Sequence, residues 1–217
     1  LTCDSYCAWI AKSGSSGEIT YSSSTGNIGT HAGGIAGSKC VHIEIEDCYS
    51  TGDIGAYGGG IIGDSCTLYD DFMVKIKNSY STGQIGKYAG GIAGAYASTN
   101  ALNKDPGEFS YKNGCRIQKS FSSGDIGEYG GGIVGAYAAE GFFYPAGTFS
   151  GSADITKTGS IVVEKCFSRG KISSNAGGIL GAYAGLVKEN KDKLTSISQN
   201  RVEVEYCYAI GDMLSTA

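Results

Sequence analysis

Acidic side chains are where chemistry would have to reside in this chain. Cleaving a glycosidic bond takes two carboxyl groups at a fixed separation, one to deliver a proton and one to attack or activate water. The candidates are Asp70 with Asp71, Asp125, Glu128 and Asp154. Asp125 occupies a position that recurs along the chain as Asn27, Asp53, Gln84, Lys171 and Asp212. A position that accepts lysine and glutamine reads as an exposed turn, not as a catalytic pair or a calcium ladder. Ser-His-Asp catalysis is disfavoured because His31 and His42 fall together in the shortest repeat, away from the long insertions. With no Cys-x-x-Cys pair and only those two histidines, a zinc site has too few ligands. The glycine runs lack the Lys-Ser/Thr and the helix of a phosphate loop. The expectation is a protein that is not an enzyme and carries no metal or other cofactor.

The eight cysteines are the next reactive groups. Cys40 and Cys66 each stand three residues after a Gly-Gly-Ile-x-Gly, and Cys166 and Cys207 each stand four residues before a turn glycine. Equivalent positions on neighbouring strands lie about 4.8 Å apart, within the Cα range of a disulfide. Two readings follow: the pairs are disulfides, or they form a buried ladder of free thiols packing as small apolar groups.

Outward-facing ladders carry the better functional lead. One column reads Tyr49, Tyr80, Phe121, Phe167 and Tyr208, and beside it run Thr25, Thr51, Thr82 and Ser123, broken by Arg169. Further round, Tyr57, Tyr88 and Tyr129 align, as do Tyr96, Tyr137 and Tyr183. Stacked aromatics stabilise neighbouring strands through cross-strand pairing. The functional alternative is a flat aromatic and hydroxyl face for a glycan, another protein or ice. Arg169 and Ile210 in the threonine slot count against ice.

These ladders follow from a repeat. The stretch from Cys48 to Gly63 returns from Ser79 to Gly94, from Ser120 to Gly135 and from Cys166 to Gly181, with a weaker copy from Ser22 to Gly37 and a partial copy from Cys207. From each turn glycine (Gly26, Gly52, Gly83, Gly124, Gly170) the Gly-Gly-Ile begins seven residues later. The spacing between successive turn glycines varies instead: 26, 31, 41, 46 and 41 residues. A fixed core with variable spacers reads as a solenoid with insertions at one corner.

Period-two patterns such as Ile43 and Ile45 around Glu44, and Val74 and Ile76 around Lys75, predict half-buried strands. Cys48, Ser50, Gly52 and Ile54 share the inner face, which makes Ser24, Ser50, Ser81, Ser122 and Ser168 an inner serine ladder. The isoleucine of each Gly-Gly-Ile points inward. The next position (Ala36, Ile62, Ala93, Val134, Leu180) is also apolar, so either the strand bends or an apolar stripe is exposed. The fold expected is all-β, a single-stranded parallel β-solenoid (β-helix) with irregular loop insertions at 67–73, 98–114, 139–160 and 185–201. These leave at one corner and should gather into one lateral lobe. Residues 1–18 do not fit the repeat and read as an N-terminal cap, with residues 19–217 the solenoid.

The pairing of Gly-Gly-Ile-x-Gly with a later [Asn/Asp/Lys]-[Cys/Ser]-[Tyr/Phe]-Ser-x-Gly-x-Ile resembles the GLUG repeat. Gly59 to Gly63 followed by Asn78 to Ile85, and Gly131 to Gly135 followed by Lys165 to Ile172, are good instances. The resemblance covers residues 22–213 apart from the spacers. It implies a secreted or cell-surface β-solenoid of the kind found in bacterial adhesins and in the non-catalytic parts of immunoglobulin-A peptidases. The chain departs from the family after the last glycine, where Ala-Tyr-Ala stands three times, and its spacers are longer.

The remaining composition bounds the partners. A net charge of −4 argues against nucleic acid. No apolar run approaches the roughly 18 residues of a membrane span. The chain opens at Leu1 without a methionine or a signal-like segment, which reads as a processed or excised piece. The repeat begun at Val202 stops before any Gly-Gly-Ile, so the strand edge and core around Ile172, Ile179 and Leu180 are expected to be open. An open edge invites pairing with copies of the chain or with other surface proteins. The function expected is an extracellular structural or adhesive module of a surface assembly or filament. The alternatives are a glycan- or ice-binding solenoid and a polysaccharide-cleaving β-helix.

Overall fold

The structure, a computed structural model, describes residues 2–67, 73–99, 101–102, 114–144, 155–188 and 201–214. Among these there is no helix, and so none long and apolar enough to cross a membrane. One sheet contains β1 (Gly17–Thr20), β3 (Ile43–Glu46), β5 (Met73–Lys77), β8 (Gly114–Gln118), β12 (Ser160–Glu164) and β15 (Arg201–Glu205), in that order. A second contains β2 (Ser23–Ser24), β4 (Tyr49–Ser50), β6 (Tyr80–Ser81), β9 (Phe121–Ser122), β13 (Phe167–Arg169) and β16 (Tyr208–Ile210). Every neighbouring pair in both sheets is parallel.

Register follows the repeat without slippage: Ile43 pairs with Val74 and Ile45 with Ile76, and Ile76 with Ile117 in turn. Ile43 and Ile45 are buried and Glu44 between them is exposed, so a one-residue slip would turn the isoleucines into water. Single parallel bridges extend the same stacking, from Ile28 through Ile54, Ile85, Ile126 and Ile172 to Met213. A larger core lies under the first sheet, built from Ile45, Ile76, Ile117 and the Gly-Gly-Ile isoleucines. A smaller one collects Ile28, Ile54, Ile85, Ile126 and Ile172.

The chain turns at residues in the left-handed region. Asp47, Asn78, Lys119, Lys165 and Tyr206 occupy one such corner, with φ between 49 and 54°. Asn and Asp tolerate this conformation, while Lys and Tyr adopt it at a cost of roughly 1–2 kcal/mol. The next side chain offsets it. Ser79 Oγ donates to Lys77 O (2.8 Å) and accepts from Cys48 N–H (3.2 Å), and Ser120 does the same for Gln118 and Ser79 at the same distances. Cysteine replaces serine in that position at Cys48, Cys166 and Cys207, and the Cys166 N–H reaches Cys207 Sγ at 3.4 Å.

The apolar pair after each Gly-Gly is settled as a bend. Ile61 and Ile62 N–H both donate to Ile92 O, at 3.0 and 3.1 Å, and both side chains are fully buried. The turn glycines stack so closely that a Cβ on Gly83 would lie 1.9 Å from Gly52 O. Only glycine permits that approach.

Residues 1–18, read from the sequence as a cap that does not fit the repeat, stack on it in the repeat's own register from Thr2 onward. Thr2 bridges Asn27, Ala8 bridges Gly33 and Ala11 bridges Ala36, all in parallel, and β1 continues directly into β3's sheet. Three insertions share one sheet: β7 (Ala101–Leu102), β10 (Gly141–Tyr144), β11 (Ile155–Thr158) and β14 (Val187–Lys188) pair in the order β14-β10-β11-β7. The insertion at 67–73 and the central parts of the others lie largely outside the described residues.

Candidate binding surfaces

The two outward-facing sets of rings form separate surfaces. On the second sheet Tyr49, Tyr80, Phe121, Phe167 and Tyr208 stack with ring centroids 4.8–5.2 Å apart and planes within 5° of parallel. The strand register fixes this spacing. Thr51, Thr82 and Ser123 lie two residues after Tyr49, Tyr80 and Phe121 and are exposed, so three of the five rings have a hydroxyl beside them, while Arg169 and Ile210 stand in that place beside Phe167 and Tyr208.

At the corners two further columns stand side by side. Tyr57, Tyr88 and Tyr129 stack at 4.9 and 5.0 Å. Tyr96, Tyr137 and Tyr183 stack at 4.9 Å. Contacts of 6.1–6.4 Å join one column to the other. All six tyrosines have φ between 55 and 62°. Among the described residues no ring contact links these columns to the Tyr49 column. Tyr96, Tyr137 and Tyr183, which the sequence placed further round together with Tyr57, Tyr88 and Tyr129, make their ring contacts with those three.

The Tyr57 column also runs further than its tyrosines. His31 stacks on Tyr57 at 4.8 Å and Tyr6 on His31 at 4.7 Å. His31 Nδ1 is 2.9 Å from Asp64 Oδ2, which also accepts from Ser65 Oγ at 3.0 Å. Asp64 is 4 % exposed. Burial pushes its carboxyl up from the ordinary value, against the lowering effect of the bonds from His31 and Ser65. The signal was available: His31 stands five residues after its turn glycine, as Tyr57 does.

Desolvation raises the phenols of this surface, that of Tyr96 to about 12 and those of Tyr88 and Tyr137 in the same direction. Lys87 Nζ bonds Glu128 at 2.7 Å and lies 5.3 Å from the ring centres of both Tyr88 and Tyr129. Glu128 is thus committed to an ion pair. Asp125 Oδ1 accepts the Lys171 N–H at 2.8 Å, as Asp53 Oδ1 accepts the Gln84 N–H at 3.0 Å and Asn27 Oδ1 the Asp53 N–H at 3.2 Å. These side-chain oxygens, two carboxylate and one carboxamide, cap the following repeat's backbone. Asp70, Asp71 and Asp154 lie outside the described residues.

All eight cysteines are free thiols. Cys40 and Cys66 lie in the core and Cys166 beside Cys207. The Cys115 thiol is held well above its ordinary value by its hydrogen bond to Cys66 and by burial, and burial pushes Cys40 up to about 11 and Cys166 to about 12. Among the described residues no group of three or more His, Cys, Asp or Glu is placed to hold a metal ion.

No family model, no curated protein and no solved structure matches this chain.

Proposed function

We propose that the chain is a β-solenoid of GLUG-like repeats, acting as a non-catalytic structural or adhesive module of an extracellular surface assembly. The observation that carries this reading is the parallel register, which holds from β1 to β15 and from β2 to β16 and keeps the same residue classes inside and outside at each step. Such a stack makes long flat ladders, and its stability is the sum of each repeat and its contact with the next. The placement outside the cell rests on the resemblance of the Gly-Gly-Ile and Tyr-Ser-x-Gly motifs.

The edge formed by β15 and β16 supports association. Val204, Tyr208, Ile210 and Met213 are 43–79 % exposed along it. A further repeat of the same kind covers this edge best, whether from a longer form of the protein or from another copy. Light scattering and electron microscopy test association between copies: growth with concentration that Ile210→Lys abolishes is expected, and a monomer at every concentration overturns it. Reproducible depolymerisation of any polysaccharide would overturn the non-catalytic assignment.

The Tyr49 column with its exposed hydroxyls favours a second reading, a binding face for a glycan or a protein. Tyr80→Ala would then lower affinity without unfolding the chain.

A further inference from the structure

We propose that the notch over Ser65, at the head of the Tyr96 column, binds a small planar aromatic acid. This site is separate from the Tyr49 face and plays no part in the structural role proposed above.

The notch arises because one ladder changes residue class partway along. Tyr96 N–H donates to Ala136 O and Tyr137 N–H to Ala182 O, both at 2.9 Å. The same bond runs back through the earlier repeats. Ser65 N–H donates to Ala95 O at 2.9 Å, Lys39 N–H to Asp64 O at 3.0 Å and Gly14 N–H to Ser38 O at 2.9 Å. All five residues have positive φ, between 55 and 74°. Gly14, Lys39, Ser65, Tyr96 and Tyr137 therefore form one ladder, in which rings begin only at Tyr96. Successive members stand about 4.8 Å apart. Layers of the chain itself bound the notch, Lys39 and Gly14 on one side and Tyr96 and Tyr137 on the other, so it depends on neither end of the sequence.

Tyr96 is stacked within its column on one face only. Its partner there is Tyr137 at 4.9 Å, while Tyr57, 6.4 Å away, belongs to the other column. Among the described residues no ring covers Tyr96 from the side of Ser65. A ring placed over Ser65 would continue the column. It would have His31 beside it, as Tyr96 has Tyr57, because His31 precedes Tyr57 in the neighbouring column. Ser65 is half-buried and Lys39 is exposed. Ser65 Oγ donates to Asp64 Oδ2 at 3.0 Å, and that oxygen lies 2.9 Å from His31 Nδ1, so hydrogen bonds fix the floor.

Lys39 supplies the charge. Burial raises the Asp64 carboxyl, and Lys39 is near enough to act against that rise. Among the described residues Lys39 has no ion-pair partner, whereas Lys75, Lys77, Lys87 and Lys165 each have a glutamate. A carboxylate on a bound ring can therefore pair with Lys39. A flat ring suits the notch better than a sugar. Aromatic rings stack with centroids roughly 4.5–7 Å apart, which the step of the ladder meets, and a pyranose chair is thicker than a ring. An ion pair open to water adds little, so the ring supplies most of the affinity.

The amide chemical shifts of Lys39, Ser65 and Tyr96 report on the notch. The probes are benzoate, 4-hydroxybenzoate, phenylacetate and 3-phenylpropanoate, each titrated to about 10 mM to capture millimolar affinity. At least one should move these three amides saturably, and its cyclohexane counterpart should bind about three- to tenfold more weakly. Tyr96→Leu should weaken binding about two- to tenfold and Lys39→Gln about two- to fivefold. Ser65→Tyr supplies the ring from the chain itself and should abolish binding. The proposal is overturned if no probe moves these amides, or if the cyclohexane counterpart binds as tightly. It is equally overturned if Ser65→Tyr and Tyr96→Leu, folded by circular dichroism, bind as the original chain does. Shifts that follow protein concentration instead of the probe would assign the notch to a second copy of the chain and overturn it too.

Discussion

His31 Nδ1 and Asp64 Oδ2 lie 2.9 Å apart and tie two successive repeats together, with the imidazole stacked between Tyr6 and Tyr57. The histidine thus does two things at once: it continues a ring column and it satisfies a carboxylate that is almost fully buried. His31→Phe would keep the stacking and remove the partner. It should cost about 1–3 kcal/mol near neutral pH, the penalty for a buried acceptor left unmet. The sign of the pH dependence is fixed. Asp64 already titrates above its ordinary value because of burial. Losing His31 raises it further. A carboxyl raised in the folded state contributes stability below its unfolded value and loses it as pH rises. The variant's deficit should therefore shrink as pH falls towards 4, about the ordinary aspartate value. Urea melts from pH 4 to 7 check this, and a pH-independent deficit would refute it.

Gly83→Ala should destabilise by about 3 kcal/mol, because the backbone must move to admit the new atom. The nearest obstacle is a carbonyl oxygen at 1.9 Å. Gly14→Ala meets nothing within 4 Å but carries φ of +74°, and so should cost only about 1 kcal/mol. Denaturant midpoints of the two variants give the comparison, and equal losses would count against the close stacking of the turn glycines.

Ring position within a column should set its worth. Tyr88 stacks on both Tyr57 and Tyr129, while Tyr208 closes its column and is 51 % exposed. With each aromatic pair worth roughly 0.5–1.5 kcal/mol, Tyr88→Ala should cost about 1–3 kcal/mol and Tyr208→Ala about half as much. Thermal or chemical unfolding separates them.

Thiol labelling should divide the cysteines by depth. Cys3, Cys7 and Cys207 are partly accessible and should react in the native state. Cys40, Cys48, Cys66, Cys115 and Cys166 are buried and should react only on unfolding. Protein prepared without reductant should release all eight thiols in denaturant. Fewer would mean that disulfides form.

Alkali should weaken the fold. Tyr96 ionises at about 12 in the folded chain, against 10.0 ordinarily. The unfolded chain therefore loses this proton first, and stability is shed as pH rises from 10 towards 12. The buried thiols of Cys40 and Cys166 act in the same direction. Stability measured from pH 8 to 11 should fall throughout the upper part of that range. A flat profile would contradict the burial of these groups.

Much of the arrangement was legible because the repeat marks each slot by residue class. The alternation of Ile43, Glu44 and Ile45 gave the strand and its inner face, and the recurrence of Ile54 and Ser50 gave the ladders. The left-handed corners were not legible. Tyr57 and Lys119 have no preference for positive φ, and they adopt it where hydrogen bonds to the following repeat, Tyr57 N–H to Lys87 O and Lys119 N–H to Glu164 O, fix the backbone. The entry segment was legible and overlooked. Ala8-Trp9-Ile10-Ala11 is Gly33-Gly34-Ile35-Ala36 with the glycine that permits close packing replaced by the largest side chain. The insertion sheet had no signal, since Phe142 opposite Lys157 and Gly141 opposite Val187 belong to segments that do not repeat.

That sheet also decides how the molecule bears load. Backbone bonds between repeats, such as Tyr49 to Ser22 and Tyr208 to Cys166, point along the direction of stacking. Tension applied in that direction opens them one layer at a time, as tape leaves a roll, at low force. β7, β10, β11 and β14 come from three different insertions and are bonded to one another. They lash the later layers together from the side. A chain stretched between its two ends should give up its early layers in small separate steps and its later layers in one large step. Cutting the lashing between Ala101 and Lys188 would turn the second behaviour into the first.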